Sequence, residues 1–553
     1  MTDISSIKLP KGSRVVRSKG IDYVATHIYW WDKEKKRGQQ KRTTIGKIVD
    51  GKFVPNARYL AEQKYEKERA RAQKLEKFDA DKSFGDVALL IQASRETGLL
   101  EDYCDAFGIK YGTLMVCMAA YEINSRTSAL NGFEIFARTH ALPVELTEDL
   151  ESQRISEACK AIGADTDAAN RLFALRAARI TEDEYLSYDS TRIASQSRNL
   201  GEAKKGPSKE GGFENQIGFA LLYGHSSRLP VMFRRFPGNV NDIKTLHDLL
   251  TRWESLGLDK AVTPVFDRGY CSKENIRLLN GGGLRFIMAA KTDNSCIRQA
   301  IEDHMPEFWD MANTLEVDDI TGVRCRVKIP EFEDDRSLCE VWAYLFFSPT
   351  REGREQKEFM AKLREFESSW DAGTASASST CLKYYEKPSG EPGTCKLARD
   401  YSAINEKVRY LGFFAVLSNS EMDISEAHDI YTQRDCIEKC FRSLKSDIGL
   451  KCTRGHSLET VNARLLVGFA AATITSWLNR EMSVEKKIGR KTFPPLRDEF
   501  SLKDLLAELS QVRHFKTKTG GGKAWIGEVI KRHREIYERL GLEKVLDDPG
   551  AFK

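Results

Sequence analysis

The sequence predicts an α/β protein centred on a mixed β-sheet, and three observations carry that expectation. Its 553 residues exceed the roughly 250 to 300 over which one hydrophobic core keeps growing, so several packed units are expected. Apolar residues at 41% and charged residues at 30% are ordinary for a folded chain and exclude wholesale disorder. Between residues 183 and 300, short apolar runs rich in β-branched and aromatic residues alternate with helical patterns, as strands and crossover helices of one sheet do.

Residues 1–80 open with the β-like runs RVVR, YVATHIYWW and TTIGKIV, joined by charged or glycine-containing turns, which predict a small antiparallel sheet. From Ala57 to Phe78 the run ARYLAEQKYEKERARAQKLEKF is a strong helix former. These 80 residues hold 20 Lys plus Arg against 10 Asp plus Glu, a surplus of 20 − 10 = +10, so the rest of a chain at +5 stands at 5 − 10 = −5. So basic an arm suits a polyanion such as DNA, although a solvated hairpin tip would be charged in the same way. Lys35, Lys36, Arg37, Lys41 and Arg42 are its candidate DNA-binding residues.

Residues 81–182 form an α-helical accessory domain, with turn signals at Gly98 and Gly108. From 183 to 300 the pattern turns to strands. YLSYDSTRIAS surrounds Asp189, IGFALLYG and LPVMFRRF make a hairpin about the turn HSSR, and PGNVND opens the helix DIKTLHDLLTRWESL with Asn241 or its neighbour as cap. The strand AVTPVFD, the helix SKENIRLLN, a stop at Gly281 to Gly283 and the strand RFIMAA complete the order β-β-β-α-β-α-β. A ribonuclease H-like fold needs that order, three meandering strands followed by parallel strands with helices packed on the sheet. Residues 301–405 interrupt it with strands VRCRVKI and CEVWAYLFF, the helix EGREQKEFMAKLREF and the loop AGTASASST, read as an inserted α+β subdomain. Residues 406–480 return to the core with the strand YLGFFAVLSN and a helix from about Ser425 to Ser446, and 481–553 form a basic, helical C-terminal region.

Several classes are set aside. The apolar run Leu465 to Leu478 is short for a bilayer and broken by Thr473, Thr475 and Ser476, so it reads as a buried helix rather than a membrane span. The start MTDISSIKLPKGSR has no apolar core after a basic segment, and a cytoplasmic protein without a membrane partner is expected. Twelve cysteines without a CxxC pair argue against a zinc ribbon or a disulfide framework, leaving Cys436 and Cys440 as small core residues. Gly520, Gly521, Gly522 and Lys523 fail the wider phosphate-loop pattern, and His225 in the HSSR turn reads as a surface residue.

Three acids remain. Asp189 lies in a strand and Asp267 ends the apolar strand VTPVFD, where a carboxylate is costly to bury unless a cation meets it. Alone, each reads more readily as a turn-forming Asp or a partner of Arg192 or Arg268 than as a metal ligand. Glu438 sits in DIYTQRDCIEKCFRSLKSDIGL, where a helical pitch of about 100° per residue puts Tyr431, Arg434, Glu438, Arg442 and Lys445 on one face. Ile437, Cys440, Phe441 and Leu444 fall on another face that can pack on a sheet. A solvated charged face would explain Glu438 beside Arg434 or Arg442, but not the whole spacing.

Tyr431, two residues, Arg434, three residues, Glu438, six residues, Lys445 resembles the Tyr-Arg-Glu-Lys signature of DDE transposases of bacterial insertion sequences. YDST, PGNVNDIKTL and FDRGY resemble further motifs of that family, in the right order, over roughly residues 185 to 450. The resemblance implies that Asp189, Asp267 and Glu438 are catalytic and ligate two Mg²⁺ or Mn²⁺ ions, consistent with the preference of hard cations for carboxylate oxygens. It implies cleavage of transposon ends, commonly through a hairpin, and joining to target DNA. Tyr431, Arg434, Arg442, Lys445, Arg268 and Lys291 would contact DNA, and Trp342 or Trp309 would stack a flipped base unless they belong to the core. Double-stranded DNA, both terminal inverted repeats and target, is the implied partner, held by a homodimer. A captured transposase acting as a non-catalytic DNA-binding protein, or another ribonuclease H-like nuclease, are the alternatives. All three acids being present weighs against the first, and the Tyr-Arg-Glu-Lys helix against the second.

Overall fold

The computed structural model describes all residues except 1–6, 33–35, 65–77, 144–149, 181–182, 198–199, 208–212, 241, 254, 259–261, 317–318, 331–337, 377–378, 518–523 and 548–553. Two compact units emerge, residues 1–82 with 514–527, and residues 83–513 with 528–553. The expected cap Asn241 and the Gly520 to Lys523 run lie outside the described residues.

In the first unit, β1 (Ser13–Ser18), β2 (Ile21–Asp32), β3 (Arg37–Val49) and β4 (Lys52–Pro55) form an antiparallel sheet in sequence order. Val24, Ala25 and Ile45 fill the interior of its base. The helix expected from Ala57 to Phe78 is seen over residues 57–64, residues 65–77 lie outside the described ones, and Phe78 opens a strand instead. That strand, β5 (Phe78–Ser83), pairs with Arg513–Thr517, which pairs with Ala524–Ile526. The C-terminal region is therefore not wholly helical, as expected above; facing rings of Phe515 and Trp525, stacked at 5.6 Å, favour a hairpin there.

The second unit begins with helices α1 (Gly85–Glu96), α2 (Leu99–Ser125), α3 (Phe133–Thr139), α4 (Ser152–Ala164) and α5 (Thr166–Ala177). The turn signals act as the sequence indicates: Gly98 is left-handed at φ 65° between α1 and α2, and Gly108 kinks α2 at φ 78°, angles a side chain would strain. Arg176 on α5 reaches Asp102 on α2 at 2.9 Å with both side chains buried, tying the two helices together.

The sheet follows. Its strands are β6 (Tyr185–Ser195), β7 (Lys204–Pro207), β8 (Phe213–Gly224), β9 (Pro230–Pro237), β10 (Thr263–Phe266), β11 (Ile287–Ala290), β12 (Thr321–Pro330), β13 (Leu338–Phe347) and β14 (Phe413–Ser418). Their order is β12-β13-β14-β11-β10-β6-β8-β7, with β9 also on β8. β6, β8 and β9 are antiparallel, whereas β10 is parallel to both β6 and β11. Helices α6 (Asp242–Trp253), α7 (Lys273–Gly281) and α8 (Ser295–Asp303) connect them, α7 starting where the Ser272 hydroxyl accepts from the Asn275 amide at 3.2 Å.

Residues 301–405 depart from the expectation of a separate subdomain. β12 and β13 hydrogen-bond through β14 into the main sheet, so their apolar faces are buried as sheet edge. Only α9 (Pro349–Asp371), with residues 380–404, keeps a small core of its own, built on Leu363, Phe366, Trp370, Cys381, Tyr385 and Ile404. After α10 (Tyr401–Val408) and β14 the single expected helix is two, α11 (Ile424–Gln433) and α12 (Asp435–Ser446). Arg434 sits at the break, where the amides of Arg434 and Ile437 bond to the carbonyls three residues back, a tighter turn than the α pitch. The helix α13 (Leu458–Met482) contains the apolar run and is buried in the interior as read.

His225 corrects the sequence reading. Its amide donates to the Tyr185 carbonyl, which folds the turn under β6 and leaves the residue 2% exposed with Nε2 at 2.6 Å from the Ser187 hydroxyl. Burial, helped by the Arg228 charge, pushes its pKa down to about 4.

Candidate active site

Two strands and one helix bring the acids together. Parallel pairing sets Phe266 level with Tyr188, so Asp267 and Asp189 follow side by side at the ends of that register. Asp189 is held by its own turn, Oδ1 accepting from the Ser190 amide at 2.7 Å. Asp267 leads the short helical turn Arg268–Tyr270, whose Tyr270 packs inward near Tyr188 and Phe266. α12 buries Ile437, Cys440, Phe441 and Leu444, the face the pitch indicated, and Cys436 besides, with Phe441 against Phe219 of β8. That docking turns Glu438 toward the strand ends.

The guanidinium of Arg434 stands among all three carboxylates. It lies 3.6 Å from Asp189, 3.8 Å from Asp267 and 2.7 Å from Glu438, while its own side chain is only 14% exposed. The Tyr431 ring flanks it at 5.5 Å. Burial pulls the Arg434 pKa down, but Tyr431 and the three carboxylates outweigh it and hold the charge above its ordinary value. Burial also lifts the Tyr431 phenol, with Asp267 adding to the rise against Arg434 and Arg351.

The donor set fits hard cations in kind, since three carboxylates converge on one guanidinium and hard cations prefer such oxygens. Among the described residues no three His, Cys, Asp or Glu side chains surround one point as ligands would. The space between the acids is taken by Arg434, whose Nε and Nη1 are buried without hydrogen-bond acceptors. The acids are thus gathered around a resident positive charge that offers them few hydrogen bonds.

Beside them opens a cleft of about 460 Å³ lined by Asp267, Arg434, Glu438 and Tyr431, and by the cations Arg268 and Lys291. Arg442 lies exposed further along α12 and Lys445 is half-buried beyond it, neither lining the cleft. Trp342 is engaged by Arg324 and Arg326 at 5.2 and 4.5 Å, and Trp309 is 64% exposed with its edge toward Phe347; both are away from the cleft lining. In the first unit, Lys36, Arg37, Lys41 and Arg42 are exposed on the β2–β3 ribbon, and Lys35 lies outside the described residues.

Three cations of the cleft wall escape the sequence reading: Arg351 and Arg354 of α9, and Lys407 of α10. Arg351 is fixed from two sides, its Nε 2.7 Å from Glu355 and its guanidinium 5.0 Å from the Phe414 ring, while Glu355 also accepts from the Gly412 amide. The available signal was the spacing of Arg351 and Arg354, three apart near the start of the helix and so on one face. Nothing local shows that this face turns to the acids.

An acid pair on adjacent strands and a third acid on a docked helix thus stand beside a cleft walled by cations. The chain belongs to the DDE transposase family: residues 181–474, spanning all three acids, match the family described as "Transposase DDE domain". A structural comparison also aligns the chain with the piggyBac transposase in a cryo-EM structure of its synaptic complex with hairpin DNA, at TM-score 0.36 and 9% identity over 77% of this chain and 76% of that one. No curated protein matches it in sequence.

Proposed function

We propose that this chain is a transposase that cuts transposon-end DNA and joins it to target DNA, with Asp189, Asp267 and Glu438 as the catalytic acids on a ribonuclease H-like core. One observation carries the reading: three acids distant in sequence meet at the Arg434 guanidinium, beside a cleft walled by cations. The strand order β9-β8-β6-β10-β11, antiparallel then parallel, supports the core assignment.

Asp189, Asp267 and Glu438 would hold two Mg²⁺ or Mn²⁺ ions. Such ions supply activation of a water or 3′-hydroxyl and stabilisation of the leaving oxygen in an in-line displacement. The chain's own part is positional. Tyr431 braces Arg434, which keeps the mutually repelling carboxylates together and is a charge that can move to a phosphate when the acids gain another counter-ion. Arg268, Lys291, Arg351, Arg354 and Lys407 seat phosphates without reading sequence, and Arg442 and Lys445 extend that track along α12. Strand cleavage followed by attack of the freed 3′-hydroxyl on the opposite strand would give a hairpin, in a homodimer that processes both ends in the cytoplasm.

The experiment is cleavage of end-containing duplex by Asp189→Ala, Asp267→Ala and Glu438→Ala. Each is expected to bind DNA and fail to cut. Metal-dependent cutting at the wild-type rate by all three would refute the assignment.

A further inference from the structure

The distal half of the β2–β3 ribbon has no core to serve. Val24, Ala25 and Ile45 are buried at its base, yet further out Ile28 is 60%, Tyr29 64%, Trp30 48% and Trp31 65% exposed. Ile28 and Trp30 lie on one face of the ribbon and Tyr29 and Trp31 on the other, and large apolar side chains left exposed together in this way mark a contact site. Register places Tyr29 opposite Gln40, Trp31 opposite Gly38 and His27 opposite Arg42, so these six share one face. Gly38 leaves that face open, since a Cβ there would meet nothing within 4 Å.

Charge selects the occupant. From His27 to Arg42 the sequence holds six basic residues (Lys33, Lys35, Lys36, Arg37, Lys41, Arg42) and two acids (Asp32, Glu34). Protein interfaces deplete lysine at their centres, whereas duplex DNA rewards it. A two-stranded ribbon fits a major groove about 12 Å wide, and a glutamine side chain can bond bidentately to the adenine edge there. We infer that the face bearing Tyr29, Trp31 and Gln40 reads base sequence in the major groove of duplex DNA, with Lys36 and Arg37 on phosphates. This rests on the transposase reading and adds to it the element that recognises the ends: Gln40 contacts a base edge, Tyr29 and Trp31 pack against thymine methyls and sugars, and Arg42 fixes the flank.

The test is selection of binding sites by the full-length protein from randomised duplexes. Wild type is expected to enrich one motif. Gln40→Ala should lower its preference for that motif by about tenfold while leaving unrelated duplexes bound as before, and Gln40→Arg should move the preference at one position from adenine to guanine. Lys36→Ala and Arg37→Ala should weaken every duplex alike and each reduce the salt slope by about one. If Gln40→Ala, Gln40→Arg and Trp31→Ala all keep the wild-type motif and affinity, the ribbon's part is overturned while cleavage by the acids stands. It is overturned likewise if Trp31→Ala only dissolves an oligomer. If wild type enriches no motif, end recognition falls with it.

Discussion

Replacing Arg434 by Met keeps the apolar stem of the side chain and removes the one charge common to the three acids. Asp189 and Arg434 are 17% and 14% exposed, so losing that pair strands a mostly buried carboxylate and is expected to cost about 1–2 kcal/mol, below the 3–5 of a fully buried pair. Asp267 and Glu438 are 31% and 48% exposed, and each of those pairs, screened by solvent, adds under about 1 kcal/mol. The sum, about 1–4 kcal/mol, corresponds in a unit this large to a fall of about 1–4 °C in the main thermal transition without divalent ions. Mg²⁺ should then raise the transition of Arg434→Met more than that of wild type, because the ions meet three uncompensated carboxylates. Scanning calorimetry with and without Mg²⁺ reads both. An unchanged transition together with equal Mg²⁺ shifts would refute the view that Arg434 is the counter-charge of the cluster.

Further outcomes follow from other buried groups and from the cleft. His225 is held neutral by burial with its pKa near 4, so between 6.5 and 4 the unfolded chain takes a proton that the folded one refuses. Its contribution is whole above about pH 6.5 and is lost toward pH 4, by up to about 3 kcal/mol; in urea titrations the stability of His225→Gln relative to wild type should improve across that window. Glu122 is fully buried with neither carboxyl oxygen hydrogen-bonded, and burial lifts its pKa well above the usual 4.5 against the pull of Arg464. The unfolded chain releases that proton first, so the residue costs more stability as pH rises beyond 4.5, and Glu122→Gln should gain over wild type at pH 7 relative to pH 4.5. Arg351→Ala should weaken binding of any duplex and lower the salt slope by about one without changing sequence preference; an altered preference in binding titrations would contradict a phosphate role.

The acids were legible because each sits where its local pattern fixes its position: Asp189 within a strand, Asp267 at the end of an apolar one, and Glu438 opposite a packing face that α12 does bury. Pairing that spans the chain was not. The runs VRCRVKI and CEVWAYLFF announce strands, but only the fold shows them bonded through β14 to the main sheet, with Arg351 and Arg354 of α9 lining the cleft. The break at Arg434 carries no Gly or Pro; it is a change of hydrogen-bond pitch that no residue type in the sequence marks. His225 was misread because a polar turn ordinarily faces water, and here a single backbone bond to Tyr185 tucks it inside.

Counting bound Mn²⁺ by electron paramagnetic resonance tests the central claim most directly. Wild type should bind two ions at the cluster, and Asp189→Asn, Asp267→Asn and Glu438→Gln should each lose at least one while retaining their circular dichroism. Wild-type stoichiometry and affinity in all three variants would show that these acids do not share metal ions, and the account would fail.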